Sequence, residues 1–107
     1  MASAGLAMSD GQIIVAVIIN GAVQLHRVKT LNEAKDILDT SKPDIVGVDK
    51  SAESIFSDVS YGFKVIKVNK PVENDLGEAV SKLIMLNITR PTDKPAIYAA
   101  DFAAKNA

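Results

Sequence analysis

Asp49-Lys50-Ser51 and Asn69-Lys70 are the residues of this 107-residue chain whose types and spacing could do chemistry. Each group closes a run of apolar, β-prone residues, and Asn20 closes a third such run at 13–19. In open α/β sheets, ligands gather beyond the carboxyl ends of the parallel strands. Three parallel runs would bring Asn20, Asp49, Lys50, Ser51, Asn69 and Lys70 to one rim. Ser51 also opens a helical stretch, where free amides and the helix dipole suit an anion. A small anion such as phosphate is the ligand class for that set of amide, hydroxyl and ammonium groups. The competing reading is structural: Asn, Asp and Ser favour strand ends and helix caps because they hydrogen-bond nearby backbone.

Composition removes several other chemistries. The chain has no cysteine, which excludes disulfides, thiol catalysis and cysteine-ligated metals. A single histidine, His26, cannot build a histidine zinc site, and it reads as a half-exposed strand residue. Dinucleotide-binding, Walker and nucleophile-elbow motifs are all missing from the sequence. No cofactor and no metal is expected. Twelve basic residues against 13 acidic ones leave a net charge of −1, so nothing draws the chain to nucleic acid or an anionic membrane over distance. No apolar run approaches the length of a membrane span. Met1 to Gln12 lacks the basic start of a secretory signal, and the expected compartment is the cytoplasm.

The elements that must position these residues follow from periodicity. Asn20-Gly21 lies between two β-prone runs, the strongest short-range hairpin signal, because a type I′ turn needs positive φ at both central residues. The first run has no polar residue from Ile13 to Ile19, so both its faces should be covered, while the second alternates and should have one wet face. Thr30 and Glu33 form a capping box ahead of a helical stripe of Leu31, Ala34, Ile37 and Leu38. Pro43 ends that helix by disfavouring the α region for Lys42. A short buried strand follows up to Asp49, with Gly47 allowing close approach of a helix. Ser51 caps a second helix over 51–59, residues 63–68 form another strand, and Pro71 begins a third helix whose apolar face runs from Leu76 to Ile84. Arg27, Lys29 and the lysines of the 63–68 strand read as edge charges that discourage sheet-to-sheet aggregation.

The expected fold is therefore a small single-domain α/β structure of order ββαβαβα(α). Helices pack on a mixed sheet of about four strands that is parallel apart from one hairpin strand. Residues 1–12 read as a flexible tail, with Met8 as an alternative start; 13–87 form the core; 88–107 form a proline-containing linker and a short helix. Ile97, Tyr98 and Phe102 are the large apolar residues of that last segment, which is marginal as an isolated helix and should dock on its own domain or on a neighbouring chain.

Two family resemblances meet at these residues. Lys42 to Asp49 is similar to the third strand of response-regulator receiver domains, and 65–84 resembles their last strand, Lys-Pro pair and final helix. The resemblance implies that Asp49 would accept a phosphoryl group and Lys70 would neutralise it. The chain departs from that family in three ways. Ile18, Ile19 and Asn20 stand where receivers hold an acidic metal-binding pair; Asp49 and Lys70 are only 21 residues apart; and the opening hairpin is foreign. The second resemblance is to the ribonuclease-H-like fold, which opens with antiparallel strands and continues α-β-α-β-α. The element order here looks like that fold with one opening strand missing. Its nucleases carry an aspartate in the first strand and bind two Mg²⁺ ions through further carboxylates. No acidic residue lies between Ile13 and Ala22, so this resemblance implies a non-catalytic relative. The function these readings favour is a non-enzymatic interaction or assembly module with a protein partner or a second copy of itself, the alternative being an anion-binding domain.

Overall fold

The computed structural model describes residues 2–53, 64–68 and 94–105. They form a mixed five-stranded sheet with a helix on each face. The strands are β1 (Ala2–Ser9), β2 (Gln12–Ile19), β3 (Ala22–Val28), β4 (Ile45–Asp49) and β5 (Lys64–Val68), in spatial order β3-β2-β1-β4-β5. Helix α1 (Leu31–Ser41) joins β3 to β4, and helix α2 is Lys94–Lys105. Beyond Glu53, the expected 51–59 helix lies outside the described residues, as do the third helix, the 88–93 linker, Asn69 and Lys70.

The expected α/β class with a mixed sheet is present, but the chain starts one strand earlier than expected. Ala2–Ser9, read from sequence as a flexible tail, is the central strand, with Ser3 to Ala7 all buried. It pairs antiparallel with β2 over its whole length, from Ala2↔Ile19 to Ser9↔Gln12, and parallel with β4. The joining turn is Asp10-Gly11, both at positive φ (52° and 76°). It repeats the Asn20-Gly21 turn (50° and 81°), where the expected hairpin forms. One strand is reversed, but it is β2, which was expected to run parallel to β4 and β5, while its hairpin partner β3, expected to be the reversed one, runs with the rest.

Alternate residues divide the core into two layers. Ala4, Leu6, Val15, Val17, Val46 and Val48 meet Ala34 and Leu38 of α1. Thr30 caps α1 as its sequence implies: its Oγ1 accepts the Glu33 amide at 3.2 Å and donates to the Glu33 carboxylate at 3.1 Å. Lys42 ends the helix in the left-handed region (φ 49°) and donates its amide to the Leu38 carbonyl at 2.8 Å. On the opposite face, Ala7, Ile14 and Ala16 meet Ala96, Ile97 and Ala100 of α2. Gly5 and Gly47 face each other across β1 and β4 on this side. A Cβ on Gly5 would run into the Ala96 carbonyl oxygen, and one on Gly47 into that of Ala99. Two glycines below and four buried alanines above (Ala96, Ala99, Ala100, Ala103) let the backbones of sheet and helix nearly touch. That docking is how an alanine-rich segment of 12 residues, marginal alone, holds as a helix.

Candidate functional site

The parallel register of β1 and β4 builds one end of the molecule. Leu6 pairs with Val48, which leaves Met8 just past the end of β4. In the β1–β2 hairpin the closing pair Ser9↔Gln12 bonds inward, so alternate β1 residues, Met8 among them, turn their backbone groups toward β4. Ser51 takes the place of the missing strand: its Oγ accepts the Met8 amide at 2.9 Å. The Ser51 hydroxyl in turn donates to Asp49 Oδ2 at 2.6 Å, and the Ser51 amide donates to the same oxygen at 3.0 Å. Asp49, extended at φ −65° and ψ 154°, thus caps the single 3-10 turn Lys50–Ala52, a role that sequence reasoning gave to Ser51 at the head of a longer helix. Lys50 and Ser51 are exposed, Asp49 is half-buried, and Asp10 is exposed in the β1–β2 turn.

Asn20 is not part of this rim. Because β2 runs antiparallel to β1, Ile19 pairs with Ala2, and Asn20 belongs to the opposite end of the sheet. There Asp44 joins β4 to β1: its amide donates to the Ala2 carbonyl at 2.9 Å, and its Oδ2 accepts the Ala2 amide at 3.0 Å. A five-residue strand, roughly 16 Å, separates that end from Asp49. The expectation of one shared rim rested on taking 13–19 as the first strand of the sheet. Asp10-Gly11 is the signal that corrects it, a second turn pair of the same kind between apolar runs.

The expected interaction residues of the last segment are placed on the chain's own sheet. Ile97 is fully buried, Tyr98 is buried and Phe102 is half-buried. Of the two docking routes open in the sequence, the helix takes the intramolecular one. His26 is half-buried on β3 opposite Val15. Among the described residues no three carboxylate or histidine side chains converge as a metal site requires. None of the described helices is long and apolar enough to cross a membrane.

Proximity to Asp49, Lys50 and Ser51 is what this rim offers a ligand, and its hydrogen bonds are already committed to joining β1 to β4. The sheet itself offers a different surface. β3 is an edge strand, bonded to β2 on one side and, among the described residues, to no strand on the other. No family model matches the sequence, and no curated protein matches it.

Proposed function

We propose that this chain is a small, non-enzymatic α/β assembly module of the cytoplasm that self-associates, or joins a larger complex as an accessory subunit. The observation that carries this reading is the open edge of β3. Among the described residues no strand pairs with its outer side, and an open sheet edge is a template that proteins commonly use for pairing. The rim supports the same reading, because Asp49 and Ser51 spend their polar groups on each other and on Met8.

The ribonuclease-H-like resemblance points the same way. The opening strand that it lacked in the sequence corresponds to β1, with β2 antiparallel beside it and β4 parallel on the other side. Carried onto β1, the family's catalytic aspartate has no counterpart: the strand reads Ala-Ser-Ala-Gly-Leu-Ala-Met-Ser. A non-catalytic relative of that fold is the form of the resemblance that suits these residues. Three opening strands, by contrast, set the chain apart from receiver domains.

Light scattering behind size exclusion, on the full chain over a wide concentration range, tests the reading. A mass that rises toward twice 11.4 kDa is expected. A monomer up to about 1 mM, where interactions worth only some 4 kcal/mol would show, overturns self-association and leaves only the accessory-subunit form of the reading. The exposed Lys50 beside Ser51 favours the anion-binding alternative, for which the probe is inorganic phosphate. Chemical-shift changes confined to Lys50, Ser51 and Ala52, lost in Lys50→Ala, would support that alternative.

A further inference from the structure

We propose that Asn20 is a site of spontaneous covalent modification, gated by opening of the β2–β3 turn. Asparagine is among the chemically labile residues of proteins, and its lability depends on the residue that follows. The backbone nitrogen of that residue can attack the asparagine Cγ, because the bond between them closes a five-membered ring. The chain has six asparagines, at 20, 32, 69, 74, 87 and 106, and only Asn20 precedes a glycine. Glycine lacks the side chain that would hinder the attack. Both residues of the turn are exposed, and a Cβ built on Gly21 would meet nothing within 4 Å. The reacting atoms are thus open to water.

The chemistry needs no co-reactant beyond water. The Gly21 nitrogen gives its proton to solvent and bonds to Asn20 Cγ; the Cγ–Nδ2 bond breaks, and that nitrogen takes up a proton and leaves as ammonia. Water then opens the cyclic imide on either side. Breaking the new Cγ–N bond leaves an ordinary aspartate. Breaking the backbone C–N bond instead leaves isoaspartate, with the chain routed through Cβ and Cγ. The fold controls when the ring can form. Asn20 at φ 50° and Gly21 at φ 81° make a type I′ turn. In that turn the Gly21 nitrogen lies across the Asn20 Cα–C bond from Cβ, too far from Cγ to bond. The reaction waits for the turn to open, a local event that costs less than unfolding.

The fold also separates the two products. Asp10-Gly11 makes the β1–β2 turn at φ 52° and 76°, so the sheet already holds an aspartate in this geometry. An aspartate in the β2–β3 turn should leave the hairpin as it is and add a negative charge. Isoaspartate adds a backbone atom to a two-residue loop, and loop length fixes the register of a hairpin. The closing pair Ile19↔Ala22 then gives way first, and Ile19 is also the partner of Ala2 in β1.

The test holds the full chain at mildly alkaline pH, natively and in urea, while peptide mass spectrometry follows each asparagine. Asn20 should convert ahead of the other asparagines in both conditions. Its conversion should be at least about tenfold slower in the native chain, an opening cost of roughly 1.4 kcal/mol. The two acidic products are then separated. The aspartyl form should match Asn20→Asp in urea midpoint and amide exchange, whereas the isoaspartyl form should lose exchange protection at Ile19 and Ala22. Earlier conversion of another asparagine in either condition overturns the site. Equal rates with and without urea overturn the gating, and an isoaspartyl form still protected at Ile19 and Ala22 overturns the structural consequence.

Discussion

Replacing Gly47 by alanine puts a methyl group where the backbone of α2 already is. The new Cβ would overlap the Ala99 carbonyl oxygen, come within 2.9 Å of its carbon and lie 3.2 Å from the Ala103 Cβ. Only the last of these contacts is with a side chain, so no rotamer change relieves the clash and the helix must lift or shift. Lifting it loosens Ala96, Ile97, Ala99, Ala100 and Ala103, all fully buried, from Ala7, Ile14 and Ala16 below. Overpacking of this kind costs about 1–3 kcal/mol. For a domain of this size that corresponds to a loss of roughly 4–12 °C in Tm. In urea, with a slope of about 1.5 kcal/mol/M, the midpoint should fall by about 0.7–2 M. Far-UV circular dichroism during urea titration measures it. Gly5→Ala should cost a similar amount through Ala96. Because one movement of the helix serves both sites, the double variant should lose less than the two singles together. Ala99→Gly should not rescue Gly47→Ala, since the obstructing atoms are backbone, and should itself cost about 1 kcal/mol as glycine inside a helix. An unchanged midpoint in Gly47→Ala, or rescue by Ala99→Gly, would refute the close packing of backbone on backbone.

Three further outcomes follow from the same contacts. Ending the chain before Lys94 removes α2 and uncovers Gly5, Ala7, Ile14 and Ala16, so the shortened protein should lose its cooperative urea transition, whereas a sharp transition would show that α2 is dispensable. Ser3 is 1% exposed and its Oγ has no hydrogen-bond partner among the described residues, so Ser3→Ala should raise stability by about 1 kcal/mol in the same titration, and a loss of that size would reveal a partner for the hydroxyl. Ser51→Ala removes the acceptor of the Met8 amide and the hydroxyl donor to Asp49, and should cost about 0.5–1.5 kcal/mol with no effect on the oligomer; a cost of zero would mean that the contact does not hold β1 to β4.

Much of the local structure was legible because its signals are short-range. Asn20-Gly21, Thr30 with Glu33, and Lys42 before Pro43 each specify a turn or a cap within four residues, and each forms as read. Gly47 was readable as a place of close approach, though the helix that approaches is α2, not one next to it in sequence. What could not be read is pairing. Ala2–Ser9 is Ala, Ser and Gly for six of its eight residues, a composition that β-propensity assigns to loops. Its strand character comes from having β2 on one side, β4 on the other and α2 against its small side chains. Missing that strand displaced Asn20 to the wrong end of the sheet. The rim was half legible for the same reason: Asp49 and Ser51 are neighbours in sequence, while their link to Met8 spans 43 positions and depends on the β1–β4 register.

Where the polar groups are spent decides which surface is left for function. At one end of the β1–β4 pair Asp44 binds both backbone groups of Ala2, and at the other Asp49 and Ser51 engage each other and Met8. The faces between are filled by α1 and α2, the second so closely that two glycines are needed beneath it. On β2, successive residues bond alternately to β1 and β3, so its interior satisfies its own backbone on both sides. β3 inherits the unfinished half of that pattern. Its inward residues complete β2, and on its other side no described strand pairs with it. Water satisfies an open sheet edge at little cost in a monomer, so an edge alone does not require a partner. What singles out this edge is that the rim and both faces of the sheet are already occupied by the chain's own residues.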